Sequence, residues 1–255
     1  MKVVVITGTG TDIGKTVVTA ALAACAARAG QRVAVVKPIQ TGVQPGEPGD
    51  LAEVRRLTGI ADLHEFARFD EPLAPATVAE RAGRPAPSVA ELAGLIVALS
   101  DRDLVLVEGA GGAAVRFNAA GETIIDLAAA LADPVQSAAV PLETVLVASS
   151  GLGTLNTAAL TAQAFAARSL PLSHVVIGAW PQRPDLAERC NLADLPRYAG
   201  APLSGVIPVG AGAFGEVLGA ERAVGWLTSA LGGNLDAPHF VSEHAAALPP
   251  RKGDQ

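Results

Sequence analysis

The sequence predicts an α/β fold in which a parallel sheet is flanked by helices. Half of the 255 residues are hydrophobic and only 4% are aromatic, so a core must be built from Ala, Val, Leu and Ile. Such a core is typical of Val/Ile strands covered by Ala/Leu helices. Short apolar runs also alternate with longer helical patterns, and runs without polar alternation suit strands that are buried on both faces. This alternation predicts right-handed crossovers and therefore parallel strands.

Six strands and five helices follow from these patterns. The strands are predicted at residues 3–7, 33–37, 104–107, 144–148, 174–178 and 203–207, and the helices at 15–29, 51–57, 89–99, 154–168 and 186–198. Neither a repeat nor a change of composition indicates a second domain, so residues 1–232 are predicted to form one. From about Gly233 the chain is interrupted by prolines and mixed in polarity, and residues 233–255 are predicted to be a poorly ordered tail.

Composition narrows the function classes. The net charge of −6 and the isoelectric point near 5.2 provide no general attraction to nucleic acid or to an anionic membrane. No run approaches the ~18 consecutive apolar residues of a membrane span, and the N-terminal strand enters a glycine-rich turn without a signal-peptide pattern. Two cysteines cannot form a disulfide framework, and the four histidines show no metal-ligand spacing. The sequence therefore predicts a cytoplasmic protein without nucleic-acid or membrane partners.

The segment "VVVITGTGTDIGKTVV", residues 3–18, joins the first predicted strand to the first predicted helix. It contains "GKT" at 14–16, but the phosphate-loop consensus G-x-x-x-x-G-K-[ST] requires a glycine where this chain has Thr9. A tight turn permitted by the glycines is the alternative. The strand–turn–helix context favours a phosphate loop, because backbone N–H groups and the helix N-terminus then face an anion. Lys15 adds a mobile positive charge, and Thr16 offers its hydroxyl to Mg²⁺.

Two further strands are predicted to end in charged residues. In "VVKPIQTG", residues 35–42, the strand is predicted to end at Lys37, because Pro38 cannot donate to a ladder. In "DLVLVEGAGG", residues 103–112, an apolar strand ends at Glu108, as in a Walker B arrangement beside the metal and γ-phosphate. Open α/β sheets bind ligands in a crevice at the carboxyl ends of their strands. Lys37 and Glu108 are therefore expected to point into the same crevice as Lys15. A solvated lysine and an ordinary loop carboxylate are the alternatives.

A second glycine turn precedes a helix in "SSGLGTLNTAALTAQ", residues 149–163. It creates another helix N-terminus with free N–H groups, which suits a carboxylate. Thr154 and Asn156 could instead only cap this helix, and both roles are compatible.

These motifs together resemble those of the dethiobiotin synthetases. The string T-G-T-G-T-D-I-G-K-T at 7–16 is similar to that family's T-G-T-[DG]-T-x-[VI]-G-K-T loop, and the resemblance extends over residues 1 to about 230. K-P-[VI]-x-[ST]-G at 37–42, V-E-G-A-G-G at 107–112 and G-x-[IL]-N at 153–156 also match. The resemblance implies the P-loop NTPase architecture shared with partition ATPases, and a homodimeric ligase of biotin biosynthesis that uses Mg²⁺ and ATP or another nucleoside triphosphate.

The resemblance also implies the site residues. Lys37 and Lys15 are implied as catalytic. The implied nucleotide-binding residues are Asp12, Ile13, Gly14, Lys15, Thr16, Val17, Asp50, Glu108, Gly109, Ala110, Gly111, Pro208, Val209 and Gly210. The implied substrate-binding residues are Thr11, Lys37, Thr41, Gly112, Gly153, Thr154 and Asn156, of which the last three would serve the partner subunit. Thr16, Asp50 and Glu108 are the implied metal ligands, although Glu47 and Glu53 lie close enough to leave Asp50 open.

The implied chemistry starts from 7,8-diaminononanoate and CO₂. One amine takes up CO₂ to form a carbamate, which Lys37 stabilises and which attacks the γ-phosphate. The second amine then attacks the carbonyl of the resulting carbamic–phosphoric anhydride, and the cyclic urea of dethiobiotin forms as phosphate leaves. No catalytic triad is needed, because the positioning of two amines supplies much of the acceleration.

The chain departs from the family where the base is recognised. Many members carry an Asn-Asp pair after the fifth predicted strand, whose asparagine reads adenine, whereas this chain has Gly178 and Ala179. A tyrosine in the next helix is replaced by Asn191. The phosphate machinery is complete but base recognition is reduced, which predicts a relaxed choice of nucleotide. Groups near residues 208–210 are the alternative source of adenine specificity.

Two other functions are compatible with the same fold. A partition-type ATPase would carry a lysine at Gly10 and often a basic C-terminal membrane helix, and the sequence has neither. A small-molecule kinase usually has an arginine-rich lid, and the segment after Glu108 offers only Arg116.

Overall fold

The computed structural model describes residues 1–133, 140–214 and 219–246. A seven-stranded sheet forms its centre, with the strand order β3-β2-β4-β1-β5-β6-β7 and parallel pairing throughout. The strands are β1 (Lys2–Gly8), β2 (Val33–Thr41), β3 (Leu63–Phe69), β4 (Leu104–Glu108), β5 (Leu142–Ala148), β6 (His174–Trp180) and β7 (Leu203–Pro208). The predicted parallel α/β fold is confirmed.

Helices cover both faces of this sheet. They are α1 (Lys15–Arg28), α2 (Asp50–Thr58), α3 (Pro75–Arg81), α4 (Val89–Val97), α5 (Ile124–Ala132), α6 (Thr154–Ala166), α7 (Leu186–Ala199), α8 (Gly219–Val224) and α9 (Ala237–His244). Side chains alternate between the faces along a strand. Val3 and Val5 of β1 therefore pack in the core beneath α4 and α5, and Val4 and Ile6 pack in the core beneath α1 and α2. No helix in the described ranges is long and apolar enough to cross a membrane.

The second strand is longer than the sequence predicts. It was expected to end at Lys37, but β2 continues through Pro38 to Thr41. Pairing with β4 ends at Val36, and beyond it the strand pairs only with β3. A proline is tolerated where one side of a strand needs no ladder donor. The expected strand end is therefore wrong, although Lys37 still lies at the carboxyl end of the β2–β4 ladder.

The segment after residue 232 contains a helix that packs on the domain. Asp236 caps α9 by accepting a hydrogen bond from His239 N at 2.9 Å. The Phe240 ring meets the Trp180 ring edge-on, with centroids 5.9 Å apart, and Phe240 packs against the main core. The expectation of a poorly ordered tail therefore does not hold for residues 233–246, because this short helix has an apolar side to bury. Residues 247–255 lie outside the described part of the chain.

Candidate active site

The glycine-rich loop between β1 and α1 forms the floor of the site. Asp12 and Gly14 have positive φ angles of 57° and 94°, so the loop turns tightly before α1 begins at Lys15. Lys15 Nζ donates to Gly10 O at 2.7 Å. The N-terminus of α1 has no side-chain cap hydrogen bond. Its first N–H groups are therefore available to an anion, as in other phosphate-binding helix starts.

Lys37 lies between two carboxylates at the edge of this loop. Its ammonium group is 3.0 Å from Glu108 Oε1, donates to Gly109 O at 3.1 Å and contacts the Asp50 carboxylate. Thr16 Oγ1 donates to the same Glu108 oxygen at 2.9 Å. Lys37 is only 3% exposed and Glu108 only 1%. A buried charge of this kind is stable only because it is paired.

The two lysines have opposite pKa shifts. Burial alone would lower the pKa of Lys37, but the charges of Glu108 and Asp50 outweigh it and hold that pKa above its usual value. Burial lowers the pKa of Lys15, and the nearby charge of Lys37 lowers it further. Lys37 is therefore a fixed cation at neutral pH. Lys15 is a cation whose environment favours the arrival of an anion.

Asp50 is the carboxylate that the structure brings to Lys37. Its backbone N–H donates to Gln40 Oε1 at 2.9 Å, and the buried Gln40 side chain thereby holds the start of α2 against β2. Glu47 instead accepts from Gln44 N at 3.1 Å, and Glu53 pairs with Arg56. Sequence reasoning left these three acidic residues open and missed Gln40, whose only signal is its place inside the K-P-x-x-[ST]-G motif.

The oxygens beside Lys37 fit a magnesium ion. Glu108 Oε2 is buried and has no hydrogen-bond partner within the described ranges. An unpaired buried carboxylate oxygen is costly, which indicates a ligand at this position. Hydroxyl and carboxylate oxygens from Thr16, Asp50 and Glu108 are the donors that Mg²⁺ prefers. The described residues contain no cluster of three His, Cys, Asp or Glu side chains that could hold a metal alone, so phosphate oxygens and water would complete the coordination.

Most of the predicted site residues surround one cavity of about 400 Å³. It is lined by Thr11, Asp12, Gly14, Lys15, Thr16, Val17, Lys37, Gln40, Thr41, Asp50, Glu108, Ala110 and Gly111. A cleft of about 940 Å³ lies beside α3, but none of the predicted site residues lines it. The convergence of charged and backbone groups, rather than volume, therefore identifies the smaller cavity as the candidate active site.

Several predicted nucleotide-binding residues, and the predicted substrate residue Gly112, do not line this cavity. The Ile13 carbonyl faces Gly178, and the backbone of Gly112 lies against the start of the phosphate loop. Pro208 ends the last strand, Val209 and Gly210 follow it, and Val209 N donates to Trp180 O at 2.8 Å. The 208–210 segment is therefore joined to the end of β6.

The loop before α6 is held by residues of α7. Asn191 donates to the carbonyl oxygens of Ser150 at 2.7 Å and Gly151 at 3.0 Å. Ser150 Oγ donates to Glu188 Oε1 at 2.9 Å. These three hydrogen bonds were missed from the sequence, because they join residues about forty positions apart. In this chain Asn191 therefore supports the loop backbone.

The predicted residues on this loop do not reach the cavity of their own chain. Gly153, Thr154 and Asn156 are absent from its lining, and Leu152 is 92% exposed. No side-chain cap hydrogen bond forms at the start of α6. Thr154 Oγ1 is buried without a hydrogen-bond partner in the part of the chain that the structure describes. Helix capping therefore does not account for these residues.

Comparison with known proteins identifies the family. A family described as AAA domain matches residues 2–212. The ATP-dependent dethiobiotin synthetase BioD of Streptomyces avermitilis is 54% identical over 243 residues, which cover 95% of this chain and 98% of that protein. The chain belongs to the family of ATP-dependent dethiobiotin synthetases. Its relative in Frankia casuarinae, with the same name, is 54% identical over 247 residues, covering 96% of this chain and 99% of the relative.

The dethiobiotin synthetases are ligases of biotin synthesis, and the family membership confirms the resemblance seen in the sequence. A solved MinC:MinD cell division complex from Aquifex aeolicus contains a chain similar in structure to this one. The alignment covers 98% of this chain and 99% of that chain. The TM-score is 0.53 at 13% identity, so this likeness shows the P-loop fold alone.

Proposed function

We propose that this chain converts 7,8-diaminononanoate, CO₂ and ATP, or another nucleoside triphosphate, into dethiobiotin, the nucleoside diphosphate and phosphate. The observation that carries the proposal is the buried Lys37 ammonium, fixed between two carboxylates at the rim of a phosphate-loop cavity. A phosphate loop alone would be compatible with many different NTPase functions. A second buried cation beside it supplies what a carbamate anion needs.

The phosphate loop would hold the triphosphate. Backbone N–H groups at the start of α1 face the β- and γ-phosphates, and Lys15 moves from Gly10 O to a phosphate oxygen. Thr16, Asp50 and Glu108 would hold Mg²⁺, which when bound offsets the negative charge of the phosphates. Glu108 then uses Oε2, the oxygen that has no hydrogen-bond partner among the described residues.

Lys37 would stabilise the carbamate. One substrate amine adds to CO₂ and releases a proton, and a carbamate oxygen then attacks the γ-phosphorus as the diphosphate leaves. The raised pKa of Lys37 keeps its ammonium charged throughout, so it can accept the carbamate as a new partner. The second amine attacks the carbonyl carbon, phosphate leaves with the C–O electron pair, and the amine proton passes to solvent. Ring closure needs only that both amines are held near the carbonyl.

The loop before α6 would complete the substrate site of a partner subunit in a homodimer. Its support is that Gly153, Thr154 and Asn156 lie away from their own cavity, next to an almost fully exposed leucine. The free N–H groups of this helix start suit the distal carboxylate of the substrate.

A product assay tests the proposal. The chain is incubated with the diamine, bicarbonate, ATP and Mg²⁺, and dethiobiotin and phosphate are measured by mass spectrometry and phosphate release. We expect one dethiobiotin for each phosphate. ATP hydrolysis that does not depend on the diamine would instead indicate a regulatory ATPase, and a phosphorylated product without ring closure would indicate a kinase.

A further inference from the structure

The end of β6 touches the phosphate loop through backbone atoms alone. A Cβ on Gly178 would lie 1.9 Å from the Ile13 carbonyl oxygen and 2.7 Å from Val147 Cγ1. Real Cβ atoms essentially never come within 3.0 Å of another heavy atom, so the loop or the strand would have to move. Because the nearest neighbour is a backbone oxygen, no change of rotamer can relieve this contact.

The contact is close from the other side as well. A Cβ on Gly14 would lie 2.4 Å from the Gly178 carbonyl oxygen, and Gly14 has a φ of +94°. Two glycines thus pack peptide against peptide, one on the phosphate loop and one inside a strand. Glycine weakens a strand interior and commonly marks a close approach of another backbone. Here the approaching backbone is the turn that directly precedes Lys15.

We propose that Gly178 is a positioning residue of the phosphate loop, and that the bare backbone of β6 supports the Ile13–Gly14 turn. The proposal rests on the proposed function in one respect, that this loop binds the nucleotide phosphates. It adds a role at a position connected from the sequence only with base recognition. In this chain a side chain at 178 would displace the loop amides from the phosphates, and displacements near 1 Å are enough to lose most of such a site's effect.

The first test measures binding without the diamine. Gly178→Ala and Gly178→Asn are titrated with Mg²⁺-ATP and Mg²⁺-CTP by calorimetry. We expect each variant to bind both nucleotides at least tenfold more weakly and to the same extent. Gly94→Ala is the matched control, since its Cβ meets open space on α4, and its affinities should be unchanged. If Gly178→Asn instead bound ATP more tightly than CTP, the proposal would be overturned.

A double variant separates loop displacement from crowding in the core. Val147→Ala removes the second neighbour of the added Cβ but leaves the Ile13 oxygen in place. Gly178→Ala combined with Val147→Ala should therefore stay as weak in nucleotide binding as Gly178→Ala. Recovery of the wild-type affinity in the double variant would show that crowding, and not the loop, explains the loss.

A measurement on the unaltered chain covers the case in which the variants do not fold. Tripolyphosphate with Mg²⁺ can occupy the loop but carries no base. We expect it to slow hydrogen exchange in the loop and in a peptide that covers residues 174–180, with no change in one that covers 89–97. Protection of the loop alone contradicts the proposal. Nucleotide binding without dethiobiotin formation contradicts the proposed function only, and no binding of either ligand contradicts both.

Discussion

Lys15 and Lys37 enter one cavity but are held in different ways. Lys37 is fixed by two carboxylates and a carbonyl, whereas Lys15 donates to a single loop carbonyl and carries a lowered pKa. A cation that is poorly compensated gains most from an incoming polyanion. Lys15 is therefore suited to the phosphates, and Lys37 to an anion that forms during the reaction.

Lys15→Ala tests the first assignment. We expect the fold to persist and nucleotide turnover to fall by ~10³ to 10⁵, the scale seen when a cation is removed from a phosphoryl-transfer site. Lys2→Ala is the control, because Lys2 pairs with Glu143 at the opposite end of the sheet. Steady-state phosphate release measures both. Near-normal turnover in Lys15→Ala would exclude the phosphate-loop interpretation.

Lys37→Ala separates the two lysines. Removal of Lys37 leaves Asp50 and Glu108 without their cation, so a divalent ion should still be accepted beside the loop. We expect nucleotide–Mg²⁺ affinity to be retained within about threefold while dethiobiotin formation is lost. Calorimetry and the product assay measure the two quantities. An equal loss of nucleotide affinity in both lysine variants would make Lys37 a second phosphate ligand.

The site residues predicted from the sequence are positioned by the fold class. The site residues that were missed are positioned by contacts between distant elements. Lys37 and Glu108 were predicted because parallel strands bring their carboxyl ends to one edge, which is a property of the fold class. The choice of Asp50 depends on the Gln40 hydrogen bond, and the support of the second loop depends on Asn191. Such contacts arise only when distant elements pack, so no local pattern encodes them.

At the scale of elements, the predictions failed at the edge of the sheet. The six predicted strands are all present, but β3, with the sequence "LHEFARF", was missed. Its residues are mostly half-buried, because it is an edge strand that pairs only with β2. A search for continuous apolar runs recognises strands covered on both faces and passes over a polar edge strand. The helices α3, α5, α8 and α9, which are six to nine residues long, were also missed.

The last of these helices has a measurable effect on stability. Phe240 of α9 is half-buried against Trp180, which lies two residues beyond Gly178. We expect Phe240→Ala to lower the free energy of unfolding by about 2 kcal/mol, below the range for a fully buried ring. Leu186→Ala, at a 72% exposed position, should change it by less than about 0.5 kcal/mol. Urea denaturation followed by circular dichroism compares them, and equal values for the two variants would mean that α9 contributes no stability.

At the scale of the molecule, the separation of Asn156 from its own cavity predicts sites shared between subunits. In a two-fold dimer each site would combine one chain's Lys15 with the partner's loop before α6. Lys15→Ala mixed with Asn156→Ala then leaves one intact site in each heterodimer. We expect two inactive variants to recover about a quarter of wild-type activity after subunit exchange. Full activity in a sample shown to be monomeric by light scattering would contradict the shared site.

The groups expected near the nucleotide base come from elements far apart in the chain. Their chemistry predicts how strongly one base is preferred over another. A polar site that hydrogen-bonds one base rejects others strongly, because the wrong base leaves buried polar groups unpaired. In this chain Gly178 carries no side chain and its peptide is packed against Gly14, so position 178 offers no side-chain group that could read a base. The 208–210 segment is joined to the end of β6 by the hydrogen bond from Val209 N to Trp180 O. The phosphates should therefore supply most of the binding energy.

We expect pyrimidine triphosphates to be accepted within about tenfold of ATP, a difference of ~1.4 kcal/mol. The competing outcome is that Val209, tied to Trp180 by a 2.8 Å backbone hydrogen bond, presents the next backbone groups in a fixed array that selects adenine. Values of kcat/KM for ATP, GTP, CTP and UTP, measured at one Mg²⁺ concentration with saturating diamine, decide between them. A preference for ATP above a hundredfold would contradict the expected relaxed choice of nucleotide, because Gly178 has no side chain to select adenine.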